Sequence, residues 1–264
     1  MKEKNNGTKN ASKSCPQKDS FFAVETTTDG SPTVRGPLGE TYHSLHGALL
    51  ESAYVYRDSG LRYFIDQHSP SGTLPSSIHI LEAGLGTGLN ALLAYQTVKA
   101  ATPPIHLFYS AIEKYPLPKS VTDQLEYTPH AREKEVLETI HSCPWDIPFA
   151  VDDRFTILKH RTDILDYALH SGNPRAGVPE KIHVVYYDLF SPAVQRELWT
   201  EEVLLGIVPH LETGSVLTTY SCTGFFRRLL EKVGFITERL PGPGTKRQIL
   251  RAVYQEPYGS GSVT

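Results

Sequence analysis

Short apolar runs and helical apolar spacing alternate along residues 78–254. Residues 78–82, 106–113, 155–160, 182–188 and 215–220 are brief, mostly apolar stretches bounded by polar or glycine-containing breaks, which predicts strands. Between them the apolar positions recur at helical spacing, predicting helices over 89–98, 130–142 and 195–208. A helical region also starts at 116–125, and another runs from a Thr162 cap to residue 170. After these βα repeats comes a helix over 224–233, stopped by Gly234. Strands at 235–239 and 248–254 follow, joined by the rigid Pro241-Gly242-Pro243-Gly244 loop. This order predicts an α/β fold with a seven-stranded, largely parallel sheet that closes with one antiparallel strand.

The pattern before residue 78 differs. Residues 1–20 are polar and read as a disordered leader. A strand starts near 21–24, Asp29-Gly30-Ser31-Pro32 reads as a turn, and 34–39 as a loop. Helical spacing runs from Leu45 to about Tyr56, a short strand is expected at 61–65, and 69–77 is a Pro/Gly/Ser connector. The organisation expected is a leader at 1–20, an N-terminal α+β extension at 21–77 packing on the core, a main domain at 78–256 and a flexible tail at 257–264.

Composition narrows the setting. With 39% hydrophobic and 21% charged residues among 264, the chain is globular. The net charge of -3 gives a nucleic acid no global attraction, so such a partner would need a local basic surface. Three dispersed cysteines form no CxxC pair or zinc pattern, and no apolar stretch reaches membrane-spanning length. The expectation is a cytoplasmic protein with no metal and no membrane partner. The oligomeric state is not legible.

The chemistry concentrates at the strand ends, where open α/β sheets bind ligands. Glu82 ends the first strand of the main domain, and Gly84, Gly86 and Gly88 follow as GxGxG, closed by Asn90. Such glycines let the backbone approach a ligand and open a helix whose free N–H groups face it. The spacing is not the GxGxxG of a dinucleotide fold. It looks like the cofactor loop of class I S-adenosylmethionine (SAM) methyltransferases. On that reading Glu82 holds the amino-acid end of SAM, Glu113 accepts its ribose hydroxyls and Asp163 its adenine amine, with Asn90 a further cofactor contact. Asp188 ends the fourth strand, placed to orient an amine and take its proton. Phe190 and Pro192 would wall the acceptor, and Trp199 and Tyr220 would stack on a base. Between Tyr220 and Arg251 stand seven basic residues against two acidic ones, Arg227, Arg228, Lys246 and Arg247 among them, suiting an RNA partner.

Taken together, these segments resemble the tRNA 5-methylaminomethyl-2-thiouridine methyltransferase family, found as a stand-alone MnmD-type enzyme and as the methyltransferase part of the bifunctional MnmC protein. The resemblance spans about residues 20–255. It is carried by Asp29-Gly30-Ser31-Pro32-Thr33, Tyr42-His43-Ser44, Gly47-Ala48, Glu51-Ser52 and the segment from Glu82 to Asn90. Asp188-x-Phe190-x-Pro192 with Leu198-Trp199, Gly224-x-x-Arg227-Arg228, Gly234-Phe235 and Leu240-Pro241-Gly242-Pro243-Gly244-x-Lys246-Arg247 complete it. It implies SAM-dependent methylation of the 5-aminomethyl group of the wobble uridine of tRNA, with the anticodon region as partner, Asp188 catalytic, and Glu82, Gly84, Gly86, Gly88, Glu113 and Asp163 as SAM contacts. It also implies no flavin oxidase activity, so that another enzyme supplies the aminomethyl group. Two departures stand out: Thr223 replaces a lysine common in stand-alone relatives, and Leu189-Phe190-Ser191-Pro192 follows Asp188 where alanine or glycine is usual. The alternatives are a SAM methyltransferase acting on a small molecule or protein, a non-catalytic scaffold with the same fold, and, opposed by the glycine spacing, a nicotinamide dehydrogenase.

Overall fold

The computed structural model describes residues 22–37, 39–170, 179–244 and 247–255. The leader, the tail, Lys246 and most of the loop expected at 173–179 lie outside those residues. In chain order, a two-stranded hairpin of β1 (Ala23–Thr26) and β2 (Pro32–Arg35) comes first. A continuous helical rod follows: α1 (Ala48–Ser52), a π-helical stretch (Ala53–Arg62) and α2 (Tyr63–His68). Then come β3 (Ser77–Ala83), α3 (Leu89–Ala100), β4 (His106–Ile112), α4 (Lys119–Thr122), α5 (Ala131–Ser142), β5 (Phe149–Asp152), β6 (Phe155–His160) and α6 (Ile164–His170). The last elements are β7 (Ile182–Tyr187), α7 (Glu201–Ile207), β8 (Leu211–Thr219), α8 (Gly224–Lys232), β9 (Phe235–Pro241) and β10 (Gln248–Tyr254).

The main sheet has eight strands in the order β5-β6-β4-β3-β7-β8-β10-β9. The five central strands run parallel, and β10 is antiparallel to both β8 and β9. The seven expected main-domain strands are all there. The eighth, β5, is a four-residue edge strand whose half-exposed side chains carry no buried-strand signature. Strand order reverses at β3, which lies between β4 and β7, so the crevice opens beyond the carboxyl ends of these strands.

Both sheet faces are covered. One core joins the rod, α3 and α5, with Tyr56, Phe64, Leu92 and Ile140 fully or almost fully buried. The other joins α6, α7 and α8 around Trp199, Leu204 and Phe226. The strand expected at 61–65 is helical: these residues end the π-helical stretch and open α2. The rod instead buries Glu51/Ser52, Val55/Tyr56, Ser59/Gly60/Leu61 and Phe64, a repeat of between four and five residues that suits the wider π turn. Gly60 lets this rod lie on the sheet, because a Cβ there would meet Tyr186 at 3.0 Å and Thr218 at 3.1 Å. The helix expected over 195–208 breaks into a 3-10 turn (Arg196–Leu198) and α7, which Thr200 caps through the Val203 amide.

The DGSP turn ties hairpin to rod. Asp29 Oδ2 accepts from the Leu50 amide at 2.9 Å, and Ser31 Oγ accepts from the amides of Ala48 and Leu49, both at 3.1 Å. Two residues from a distant turn thus satisfy the free N–H groups that open α1, where Gly47 offers no side chain.

Candidate active site

A cleft of about 1280 Å³ lies over the carboxyl ends of β3, β4, β6 and β7 and is roofed by the segment after β2. Its floor is the glycine loop. Gly86 has φ +49, and a Cβ there would sit 2.8 Å from the Tyr42 ring. At Gly84 a Cβ would fall 2.4 Å from the Asp188 carbonyl, so the loop can pass β7 only as glycine. The loop is held from above and from the side: His43 Nε2 meets Thr87 Oγ1 at 2.7 Å, and His141 Nε2 meets the Thr87 carbonyl at 3.0 Å. Burial pushes the His141 imidazole down to about 4, so it stands neutral and donates to that carbonyl.

At the centre are two carboxyl groups bridged by one amide. Asn90, 4% exposed, donates through Nδ2 to Glu82 Oε1 at 2.9 Å and to Asp188 Oδ2 at 2.8 Å. Because the nitrogen faces two carboxyl groups, the orientation of the amide is decided. Its Oδ1 is left buried, without a partner among the described residues, on a residue that lines the cleft. Asp188 Oδ1 accepts from the Tyr56 hydroxyl at 2.6 Å. Glu82 is fully buried, and burial together with the neighbouring Asp188 charge pushes its carboxyl well above the usual range.

Glu113 accepts from the Gly86 amide at 3.1 Å through Oε2 and from the Tyr115 amide at 2.7 Å through Oε1. Burial raises its pKa despite these bonds. Asp163 lines the cleft, but its Oδ2 pairs with Lys114 Nζ at 2.9 Å and its Oδ1 caps α6 at the Leu165 amide. The cap expected from Thr162 therefore comes from Asp163.

The structure gathers Gly84, Gly86, Asn90, Glu113, Asp163, Asp188, Phe190 and Tyr220 on one cleft. Other expected site residues lie elsewhere. Glu82 sits beneath the cleft, in contact with Asn90 rather than with the open space. Gly88 faces α5, where a Cβ would meet His141, Ile140 and Leu137 within 3.2–3.3 Å, so its smallness serves packing. Pro192 is half-buried outside the cleft lining. Trp199 is corrected from base-stacking surface to core: its side chain is fully buried against Tyr187 and Phe226, with Nε1 donating to the Phe190 carbonyl. Arg227 is committed to Glu231 at 2.6 Å, while Arg228 and Arg247 are exposed off the cleft and Lys246 is outside the described residues. Thr223, the unusual residue before α8, caps that helix at the Phe226 amide.

Sequence reasoning missed the roof and the part the rod plays at the site. Tyr42 lies edge-on to Phe190, with ring centroids 5.2 Å apart, and Glu40 accepts from Ser191 Oγ at 2.8 Å. Tyr42-His43-Ser44 was visible as a segment, but no local signal tells that it folds over a loop more than forty residues away. Nothing in the sequence marks Tyr56 as a partner of a residue 132 positions later.

Comparison with known proteins agrees with this geometry. A family model described as S-adenosyl-L-methionine-dependent methyltransferase matches residues 156–255. The crystal structure of MNMC2 from Aquifex aeolicus superimposes with a TM-score of 0.73 at 25% identity, covering 92% of this chain and 73% of that one. In sequence and in fold the chain is similar to the methyltransferase part of MnmC proteins. The bifunctional protein MnmC of Hahella chejuensis, named for tRNA 5-methylaminomethyl-2-thiouridine biosynthesis, is 27% identical over 251 residues, which is 91% of this chain and 37% of that protein. The chain spans about a third of the length of the curated relatives it matches. A probable spermidine synthase from Corynebacterium glutamicum shares the fold alone, at a TM-score of 0.51 and 14% identity.

The fold is that of the class I methyltransferases, whose cofactor is SAM. The cleft fits it. The glycine floor admits a close-lying ligand, the buried Asn90 Oδ1 is an acceptor that an ammonium group would fill, and Glu113 ends its strand as an acceptor pair for hydroxyls. Among the described residues no cluster could hold a metal ion, and no helix is long and apolar enough to cross a membrane.

Proposed function

We propose that this chain methylates the nitrogen of the 5-aminomethyl group of (2-thio)uridine at the wobble position of tRNA, the anticodon region being its partner and the cytoplasm its setting. The observation that carries the reading is Asp188, a carboxylate at the end of β7 that lines the cleft between the glycine floor and the Phe190 wall. SAM bound there would supply an electrophilic methyl group for the amine lone pair. A protonated aminomethyl group has no lone pair to use. Asp188 orients the amine and accepts the proton it loses, while Phe190 and Tyr42 keep water from the acceptor. Glu113 holds the cofactor's ribose, Gly84, Gly86 and Asn90 its amino-acid end, and Asp163, with Lys114, borders its base. The extension at 21–77 serves as the roof and supports the methyltransferase domain at 78–256.

The test has two arms. Nucleosides of tRNA from cells lacking the gene should accumulate the 5-aminomethyl form. With such tRNA as substrate, Asp188→Asn should keep SAM binding by calorimetry but lose about 10²–10⁴ in single-turnover rate, the usual range for a missing proton acceptor. Unchanged nucleosides would refute the substrate. A near-normal rate for the variant would remove Asp188 from the chemistry.

A further inference from the structure

We infer that Tyr56 is a positioning residue for methyl transfer: its hydroxyl, projected by the π-helical stretch, holds the Asp188 carboxylate in the orientation that receives the amine. The inference rests on the proposed role of Asp188. Three observations carry it. Tyr56 is 1% exposed and does not line the cleft, so it reaches substrate only through Asp188. Its hydroxyl donates at 2.6 Å to Oδ1 while Asn90 donates to Oδ2, so each oxygen of one carboxylate is tied by a neutral donor. With both oxygens tethered, the carboxylate plane cannot swing.

The third observation is the local helix geometry. The buried positions of the rod recur every four to five residues, which turns Tyr56 toward β7, where its ring lies 5.3 Å from that of Tyr186. An α-helical register over the same residues would turn the hydroxyl away from Asp188. Burial and the Asp188 charge push the Tyr56 hydroxyl well above its ordinary pKa, so it remains a donor at every working pH. The other groups facing this pair are Glu82 on β3, Tyr109 on β4, Tyr220 after β8 and Glu51 on α1.

The experiment compares wild type, Tyr56→Phe, Asp188→Asn and the double variant on tRNA carrying the aminomethyl uridine. Tyr56→Phe should melt within a few degrees of wild type and bind SAM within two-fold. Its tRNA KM should hold while kcat falls ten-fold or more. A hydrogen bond to the anion favours the anion, so without it Asp188 protonates more readily, and the acid limb of the single-turnover rate should move to higher pH. Fluorotyrosine at position 56, a more acidic donor, should move the limb the opposite way. The double variant should be no slower than Asp188→Asn alone, because the hydroxyl acts only through that carboxylate. A Tyr56→Phe enzyme with wild-type rate and profile, or a further multiplicative loss on Asp188→Asn, would overturn this inference while leaving Asp188 catalytic. A fully active Asp188→Asn, or a wild type inert on this tRNA, would overturn the proposed function and this inference together.

Discussion

At the scale of single residues, the centre of the site holds two acids with opposite assignments. Asp188 borders the cleft and is tethered by neutral donors, whereas Glu82, one amide away, is fully buried. Two bridged carboxylates so close would repel if both were ionised, and burial decides that Glu82 gives way. This has a measurable consequence for stability. The folded pKa of Glu82 lies above its unfolded value, so folding takes up a proton in the window between them, and stability falls as pH rises through it. Glutamine is the shape of the neutral acid and has no proton to lose. Glu82→Gln should therefore match wild-type stability below about pH 4, where an ordinary glutamic acid is neutral, and exceed it increasingly as pH rises from there. Thermal melts across that range check this. A gap that shrinks with pH would mean that Glu82 is ionised in the fold.

At the scale of elements, the long helical rod is built from parts that are weak alone. α1 begins at a glycine that provides no cap, and the π-helical stretch gives up the tighter α packing. Both are compensated from outside: Asp29 and Ser31 cap the start, and the sheet contact at Gly60 supports the middle. Burial raises the Asp29 carboxyl, but bonds from Ser31, Leu50 and Thr27 outweigh it and hold its pKa below the ordinary value. Removing the Asp29 side chain should cost about 1–2 kcal/mol, the range for a missing cap. Urea unfolding of Asp29→Ala and Asp29→Asn checks this, with asparagine expected to retain part of the cap. An Asp29→Ala protein as stable as wild type would show that the turn and the rod are held independently.

At the scale of the whole molecule, the basic stretch near the carboxyl terminus divides into two groups. Arg227, Lys232 and Arg251 are paired to Glu231, Glu201 and Glu238, each at 2.6 Å, and Arg251 also stacks on Tyr63. Arg228, Arg239 and Arg247 are exposed, with no ion pair among the described residues. Only charges not already neutralised release counterions when they meet phosphate. Changing Arg228, Arg239 and Arg247 to alanine should therefore flatten the salt dependence of tRNA binding, by about 0.7–0.9 in the log–log slope for each phosphate left without its arginine. SAM affinity should stay unchanged. Filter binding over a range of salt measures the slope, and an unaltered slope would place the tRNA on another face.

The glycine loop, the acids at the strand ends and the order of the seven main-domain strands were legible in the chain because each is a local pattern: an apolar run, a turn that needs glycine, a polar residue where the strand stops. The short edge strand β5 was not, since it buries too little to impose a pattern, and the strand expected at 61–65 became helix because the sheet selects which face of that segment is buried. The same division separates the site residues. That Asp188, Glu113 and Asn90 line the cleft follows from their places at strand ends and the loop. Trp199 has the side chain of a stacking platform, yet the space between α7, α8 and β7 made it core. The tether from Tyr56, the roof of Tyr42 and His43 and the raised pKa of Glu82 depend on side chains brought together across the sheet, and distance and burial decide them only once the chain has folded.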